Sequence, residues 1–107
     1  MANVLDKIIE DKKEFLKIIK KANSLDSLEN TIKSLKNLLN FKAAISNNKD
    51  VSLIAEIKKA SPSAGVLVKD FNHLNIAKMY VDNGATCLSV LTEEKHFLGK
   101  LDYIRDI

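Results

Sequence analysis

Apolar residues between Val4 and Ala22 recur close to every third or fourth position: Val4, Leu5, Ile8, Ile9, Phe15, Leu16, Ile18 and Ile19, with Lys12 interrupting the stripe. That spacing predicts an amphipathic helix, ended by Asn23-Ser24. Asp26 then offers an N-cap oxygen, and Glu29 three residues on completes a capping-box pattern. A second helix is therefore predicted over 27–39, along the stripe Leu28, Ile32, Leu35, Leu38 and Leu39. One short helical turn is expected within 40–45, before the polar break Ser46-Asn47-Asn48-Lys49-Asp50.

The pattern changes at Val51. Val51, Leu53, Ile54, Ala55 and Ile57 form a short apolar run bounded by turn residues, the signature of a strand buried on both faces in a parallel sheet. Pro62 and Gly65 punctuate a loop. Asp70 or Asn72 can cap a helix carrying Leu74, Ile76, Ala77, Tyr80 and Val81, and Gly84 stands where a left-handed C-terminal residue belongs. Residues 86–91 predict a second buried strand, followed by a loop to Gly99 and a helix starting at Leu101. Two helices followed by strand, helix, strand and helix give a βαβ unit and the beginning of another. The two strands are expected to lie parallel and adjacent with a right-handed crossover, the N-terminal helices covering apolar surface. Two parallel strands with one crossover helix leave a sheet face and both edges uncovered. The last residues, Arg105-Asp106-Ile107, read as mid-helix. The expectation is the front portion of a longer α/β protein, or a sheet completed by another chain.

The 107 residues, 46% apolar and 29% charged, have the balance of a globular domain. No apolar run is long enough for a membrane span, and the N-terminus lacks the pattern of a secretory signal. One cysteine, Cys87, excludes an internal disulfide framework, and with two histidines it leaves too few soft ligands for a structural zinc site. A reducing cytoplasm is the expected location. The net charge of +3 lies entirely in residues 1–50, where ten lysines face seven carboxylates. Lys12-Lys13 and Lys20-Lys21 are interleaved with Asp6, Asp11 and Glu14, so they read as a solvated helix face rather than a nucleic-acid footprint.

Glu56 and Lys58 stand two apart on the first predicted strand and so share a face, at the C-terminal end where α/β proteins place their sites. The pair serves equally as an ion pair at the sheet rim or as a proton donor beside an anion receptor. The loop Lys59-Ala60-Ser61-Pro62-Ser63-Ala64-Gly65 sets two hydroxyls on a proline-stiffened turn able to face a carboxylate or phosphate. On the second strand Ser89 and Leu91 share a face. Phe97 can wall an aromatic pocket or simply anchor its loop. Cys87 reads as a small buried hydrophobe. Neither His73 nor His96 has a partner pattern for a base or a metal ligand.

Leu53-Ile54-Ala55-Glu56-Ile57-Lys58-Lys59-Ala60-Ser61-Pro62-Ser63 closely resembles the first-strand signature of the indole-3-glycerol phosphate synthase family. Ser89-Val90-Leu91-Thr92-Glu93-Glu94-Lys95, with Phe97 and Gly99, resembles its second-strand and loop signature. The resemblance implies an α/β fold: the N-terminal part of a (β/α)8 TIM barrel, with a two-helix N-terminal extension over 1–50. The first two β/α units would occupy 51–107, the barrel being incomplete in this chain. It also implies an enzyme of tryptophan biosynthesis, a carboxy-lyase. The reaction closes the indole ring of 1-(2-carboxyphenylamino)-1-deoxyribulose 5-phosphate with loss of carbon dioxide and water, without metal or organic cofactor. Carried over by motif, Lys58 would be the catalytic cation for the substrate's anionic groups and an aid to proton transfer. Glu56, on a catalytic-site position too, would orient that lysine and the proton-transfer network. Ser61 would contact anionic groups, Phe97 would border the anthranilate ring, and Ser89 would point into the mouth.

Ala64, His96 and Lys100 depart from the family's usual lysine, aromatic and serine, without removing the acid–base pair. A barrel of this class needs at least ~200 residues. The family's third-strand lysine, its later glutamate and its phosphate loops after strands seven and eight lie beyond the pattern matched. Ring closure needs these groups in fixed mutual geometry, so the 107-residue chain alone is expected to be inactive. Two alternatives stand beside this reading: a non-catalytic barrel fragment that self-associates through exposed sheet edges, and another phosphosugar TIM-barrel enzyme. The expected partner is the small phosphosugar-anthranilate substrate, with no nucleic acid and no membrane.

Overall fold

The computed structural model describes residues 3–47 and 49–107. The chain divides into two compact units, Met1–Leu39 and Asn40–Ile107. In the first, helix α1 (Val4–Ala22) starts at a reciprocal cap: Asp6 N–H donates to the Asn3 side chain at 2.8 Å, and Asn3 N–H donates to the Asp6 carboxylate at 3.3 Å. Lys20 and Lys21 lie in its last turn, where cations complement the helix dipole.

Helix α2 spans Leu25–Ser34, not 27–39, and its N-cap is Ser24 rather than Asp26. Ser24 Oγ accepts the Ser27 N–H at 3.1 Å, so the helix nucleates on the first suitable cap after α1. The apolar stripe continues to Leu39 but the helix does not. Leu35 turns extended (ψ 137°), and Asn37 enters the left-handed region (φ 58°), which asparagine tolerates better than most residues. No described residue of α1 or α2 is buried.

The second unit opens with the short helix α3 (Phe41–Ser46), whose Ala43 N–H donates to Asn40 Oδ1 at 2.9 Å. Strand β1 (Ile54–Ile57) and strand β4 (Cys87–Val90) pair in parallel, in the register Ile54↔Cys87 through Ile57↔Val90. Helix α4 (His73–Asp82) connects them. Its cap is Asn72, and Gly84 takes the left-handed turn (φ 94°) expected of it. Helix α5 (Asp102–Asp106) follows.

The loop expected after β1 contains a small hairpin instead. β2 (Ala60–Ser61) and β3 (Gly65–Val66) are antiparallel, and the Lys59 carbonyl accepts N–H from Leu67 and Val68 at 2.8 and 3.3 Å. β1 is also buried on one face only, which corrects the two-sided expectation. Ala55 and Ile57 join Ala60 and Ala77 in the core, Ile57 being 1% exposed. Ile54 and Glu56 alternate onto the other face and are exposed, while α4, whose Ala77 belongs to the same core, packs against β1. Among the described residues no helix is long and apolar enough to cross a membrane.

Candidate functional site

Strand alternation carries Glu56 onto the open face of β1, and Lys58 follows it two residues later. Lys58 Nζ lies 3.7 Å from Glu56 Oε1. On the adjacent strand Ser89 stands directly opposite Glu56 in the register, and its hydroxyl donates to Glu56 Oε2 at 3.0 Å. Each carboxylate oxygen therefore has its own partner, and the three side chains are linked in the order Ser89–Glu56–Lys58, across the sheet to Ser89 and along the chain to Lys58. The Glu56 and Lys58 side chains are 49% and 34% exposed. An ion pair so open to water contributes ~1 kcal/mol or less, which leaves stability a weak reason for the arrangement and both charges within reach of a solute. From behind, the Tyr80 hydroxyl on α4 donates to the Glu56 carbonyl at 3.1 Å, tying the backbone of this residue to the helix.

Because β1 and β4 are parallel, the segments leaving both strands emerge at the same end of the sheet. The hairpin after β1 carries Ser61, which is half-buried. Its Oγ accepts the Ala64 N–H at 3.2 Å and lies 3.4 Å from the Ser63 hydroxyl. The seryl oxygen thus braces the turn.

The segment after β4 is organised by one carboxylate. Glu93 Oε1 accepts the Lys95 N–H at 3.0 Å, and Oε2 accepts those of His96 and Phe97 at 2.6 and 3.0 Å. The Glu93 carbonyl takes the Gly99 N–H at 2.8 Å. Partial burial pushes this carboxyl upward, but the three amides, aided by the charge of His96, hold it below the usual carboxylate range. Leu98 adopts a left-handed φ of 53°, and buried Gly99 returns the chain against the end of β4. A Cβ on Gly99 would lie 2.1 Å from the Leu91 carbonyl oxygen. Phe97, half-buried, sits inside this clip.

Of the residues singled out from sequence, Glu56, Lys58 and Ser89 come together, while Ser61 and Phe97 stand on the two segments that flank that sheet end. Cys87 is a free, half-buried thiol. His73 lies apart: its Nε2 is 2.7 Å from Asp106 Oδ2, and its ring stacks on Tyr103 at 4.2 Å between centroids. The roles of Tyr80 and Glu93 escaped the sequence. A glutamate placed ahead of a short turn that closes on glycine was the available signal for the second. Among the described residues no group of three or more His, Cys, Asp or Glu side chains is placed to hold a metal ion.

Comparison with known proteins places the whole arrangement in a context. The family model for indole-3-glycerol phosphate synthase matches residues 5–107. An indole-3-glycerol phosphate synthase from Alkaliphilus metalliredigens is 45% identical over 104 residues, covering 97% of this chain and 40% of the relative. One from Clostridium acetobutylicum is 47% identical over 103 residues, covering 95% and 39% respectively. One from Aliarcobacter butzleri is 41% identical over 107 residues, covering 97% and 41%. The chain thus spans about two-fifths of the length of these curated relatives.

Proposed function

The chain belongs to the indole-3-glycerol phosphate synthase family, and from that premise we propose that it contributes the first two β/α units of a (β/α)8 barrel that closes the indole ring. Residues 1–50 form the helical extension before that barrel in this reading. The substrate, 1-(2-carboxyphenylamino)-1-deoxyribulose 5-phosphate, carries a carboxylate, a phosphate and an aromatic ring. Lys58 offers the cation for its anionic groups and shares in proton transfer. Glu56 holds the lysine in place, and Ser89 holds Glu56. Ser61 donates its hydroxyl to an anionic oxygen, and Phe97 supplies an apolar wall for the anthranilate ring. The reaction loses carbon dioxide and water, and the work assigned to these side chains is charge placement, proton handling and substrate positioning.

One observation carries the reading: the Ser89–Glu56–Lys58 linkage, with Glu56 bonded to one neighbour at 3.0 Å and beside the other at 3.7 Å, at the end of a parallel pair. A neighbour-oriented carboxylate next to an exposed ammonium suits acid–base chemistry on an anionic substrate. The test is a full-length chimera in which this chain replaces the matched part of the Alkaliphilus metalliredigens relative, assayed for indole product by fluorescence. The chimera is expected to turn over substrate, and the isolated 107-residue chain is not. Lys58→Met should lower kcat on the order of 100-fold, within the range for a proton-handling group, and Glu56→Gln on the order of tenfold. Full-rate turnover with both neutralised would discard the assignment.

A second reading, self-association of the isolated chain, has support in the sheet itself. Among the described residues β1 and β4 pair only with each other, leaving an outer edge on each. Light scattering on the isolated chain distinguishes a monomer from an assembly.

A further inference from the structure

The segment after β4 holds a carboxylate for which the proposed chemistry has no use. Glu93 lies beyond the strand, and both its oxygens are directed at three successive backbone amides, those of Lys95, His96 and Phe97. A neutral loop needs no such convergence, since turns of this length close on ordinary backbone hydrogen bonds. Here the chain between Glu93 and Gly99 is held at several points. The carboxylate gathers the three amides, Leu98 reverses the chain through a left-handed φ of 53°, and Gly99 seats on the Leu91 carbonyl with no room for a Cβ. The Glu93 carbonyl then closes the ring of contacts on the Gly99 N–H at 2.8 Å. The residue whose backbone is gripped last by the carboxylate is Phe97, the aromatic side chain at this sheet end.

We propose that Glu93 is a positioning residue: by holding the Phe97 amide at 3.0 Å together with its two predecessors, it fixes the aromatic wall against which the substrate's ring is placed. This rests on the reading that Phe97 faces that ring, and it adds a residue that acts only through the loop. Charge-assisted bonds from a carboxylate to backbone N–H are about twice as strong as neutral ones, so the hold depends on the charge and not only on the shape of the side chain. Glu93→Gln keeps the shape, but turns an amide NH2 toward backbone donors. Glu93→Asp keeps the charge on a shorter stem.

Two measurements decide the matter. In the isolated chain, hydrogen exchange at the Lys95, His96 and Phe97 amides is expected to quicken on the order of tenfold in Glu93→Gln, with the Cys87–Val90 amides unchanged. Unchanged exchange at all three loop amides would overturn the proposal. In the full-length chimera, Glu93→Gln is expected to raise KM on the order of tenfold with a smaller fall in kcat, and Glu93→Asp to recover most of it. Phe97→Ala should raise KM similarly, and the double variant should be no worse than either single one, because both remove the same wall. Multiplying effects in the double variant would overturn the route through Phe97. A chimera without turnover while Glu93 and Phe97 are intact counts against the ring-closing reading instead, and the exchange measurement still decides the role of Glu93 in the loop.

Discussion

Two segments leave the same end of the β1–β4 sheet, and they solve the same problem by different means. The one after β1 closes as a hairpin, with paired strands of two residues each and a carbonyl of Lys59 shared between two amides. Its side-chain contribution is neutral and weak, the Ala64 N–H to Ser61 Oγ bond at 3.2 Å and the contact between the Ser61 and Ser63 hydroxyls at 3.4 Å. The one after β4 has no ladder of its own and depends on a charged side chain and on a glycine pressed against the backbone. A hairpin distributes its stability over several equivalent backbone bonds, so no single side chain controls it. A carboxylate clip concentrates control in one residue. The first segment should therefore tolerate substitution, and the second should fail at particular points.

The sharpest way to break the contrast is at the two glycines. A Cβ on Gly99 would meet Leu91 O at 2.1 Å, Leu91 C at 2.8 Å and Thr92 C at 2.9 Å, all backbone atoms that cannot swing aside. Gly99→Ala is expected to cost on the order of 3 kcal/mol, read as a lowered urea midpoint. Gly65, on the hairpin, has open space around it and only a φ of 67° to maintain, so Gly65→Ala should cost about 1 kcal/mol. Equal losses would erase the distinction. Acid gives the next largest effect. The native state holds the Glu93 carboxyl below its usual range, so the clip's contribution is complete above the ordinary carboxylate pKa. It is lost as pH falls through the lowered value. The His96 and Phe97 amide resonances should titrate with a midpoint below the ordinary carboxylate range, whereas those of Ala60 and Val66 should not follow. The smallest effect is expected for Ser61→Ala, ~1 kcal/mol or less for two weak neutral contacts at a half-exposed turn. A larger loss would mean that the hairpin also hangs on a single side chain.

The same contrast explains what the sequence disclosed. Helix α1 was legible because its stripe and its lysine-rich last turn lie along one continuous helix. The parallel pair was legible because Ile54–Ile57 and Cys87–Val90 sit inside β-branched and apolar runs separated by a capped helix. Helix α2 was misplaced because two cap residues, Ser24 and Asp26, lie two apart, and because Leu38 and Leu39 continue a stripe that the helical backbone abandons at Leu35. The hairpin left no hydrophobic alternation long enough to register, since each strand has two residues. Glu56, Lys58 and Ser89 could be placed on faces by counting in twos, but their mutual distances depend on which residues the two strands set opposite each other. Glu93 reads in sequence only as part of the loop motif Thr92-Glu93-Glu94-Lys95. The convergence of three backbone N–H groups on its carboxylate is a matter of loop conformation, of which the sequence shows no more than a glutamate ahead of a short turn closing on glycine.

At the other end of the sheet, Thr86 acts on Leu53 twice. Its side-chain oxygen accepts the Leu53 N–H at 3.0 Å, and its own N–H donates to the Leu53 carbonyl at 2.9 Å. A one-residue slip between parallel strands would bring a different partner opposite each side chain of β1. Glu56 would then meet Leu88 or Val90, and its oxygen would lose the seryl hydroxyl that aims it. Thr86 therefore works as the end stop of a zip: by fixing where the two strands begin to close, it determines which tooth meets which at the far end, where the charges are.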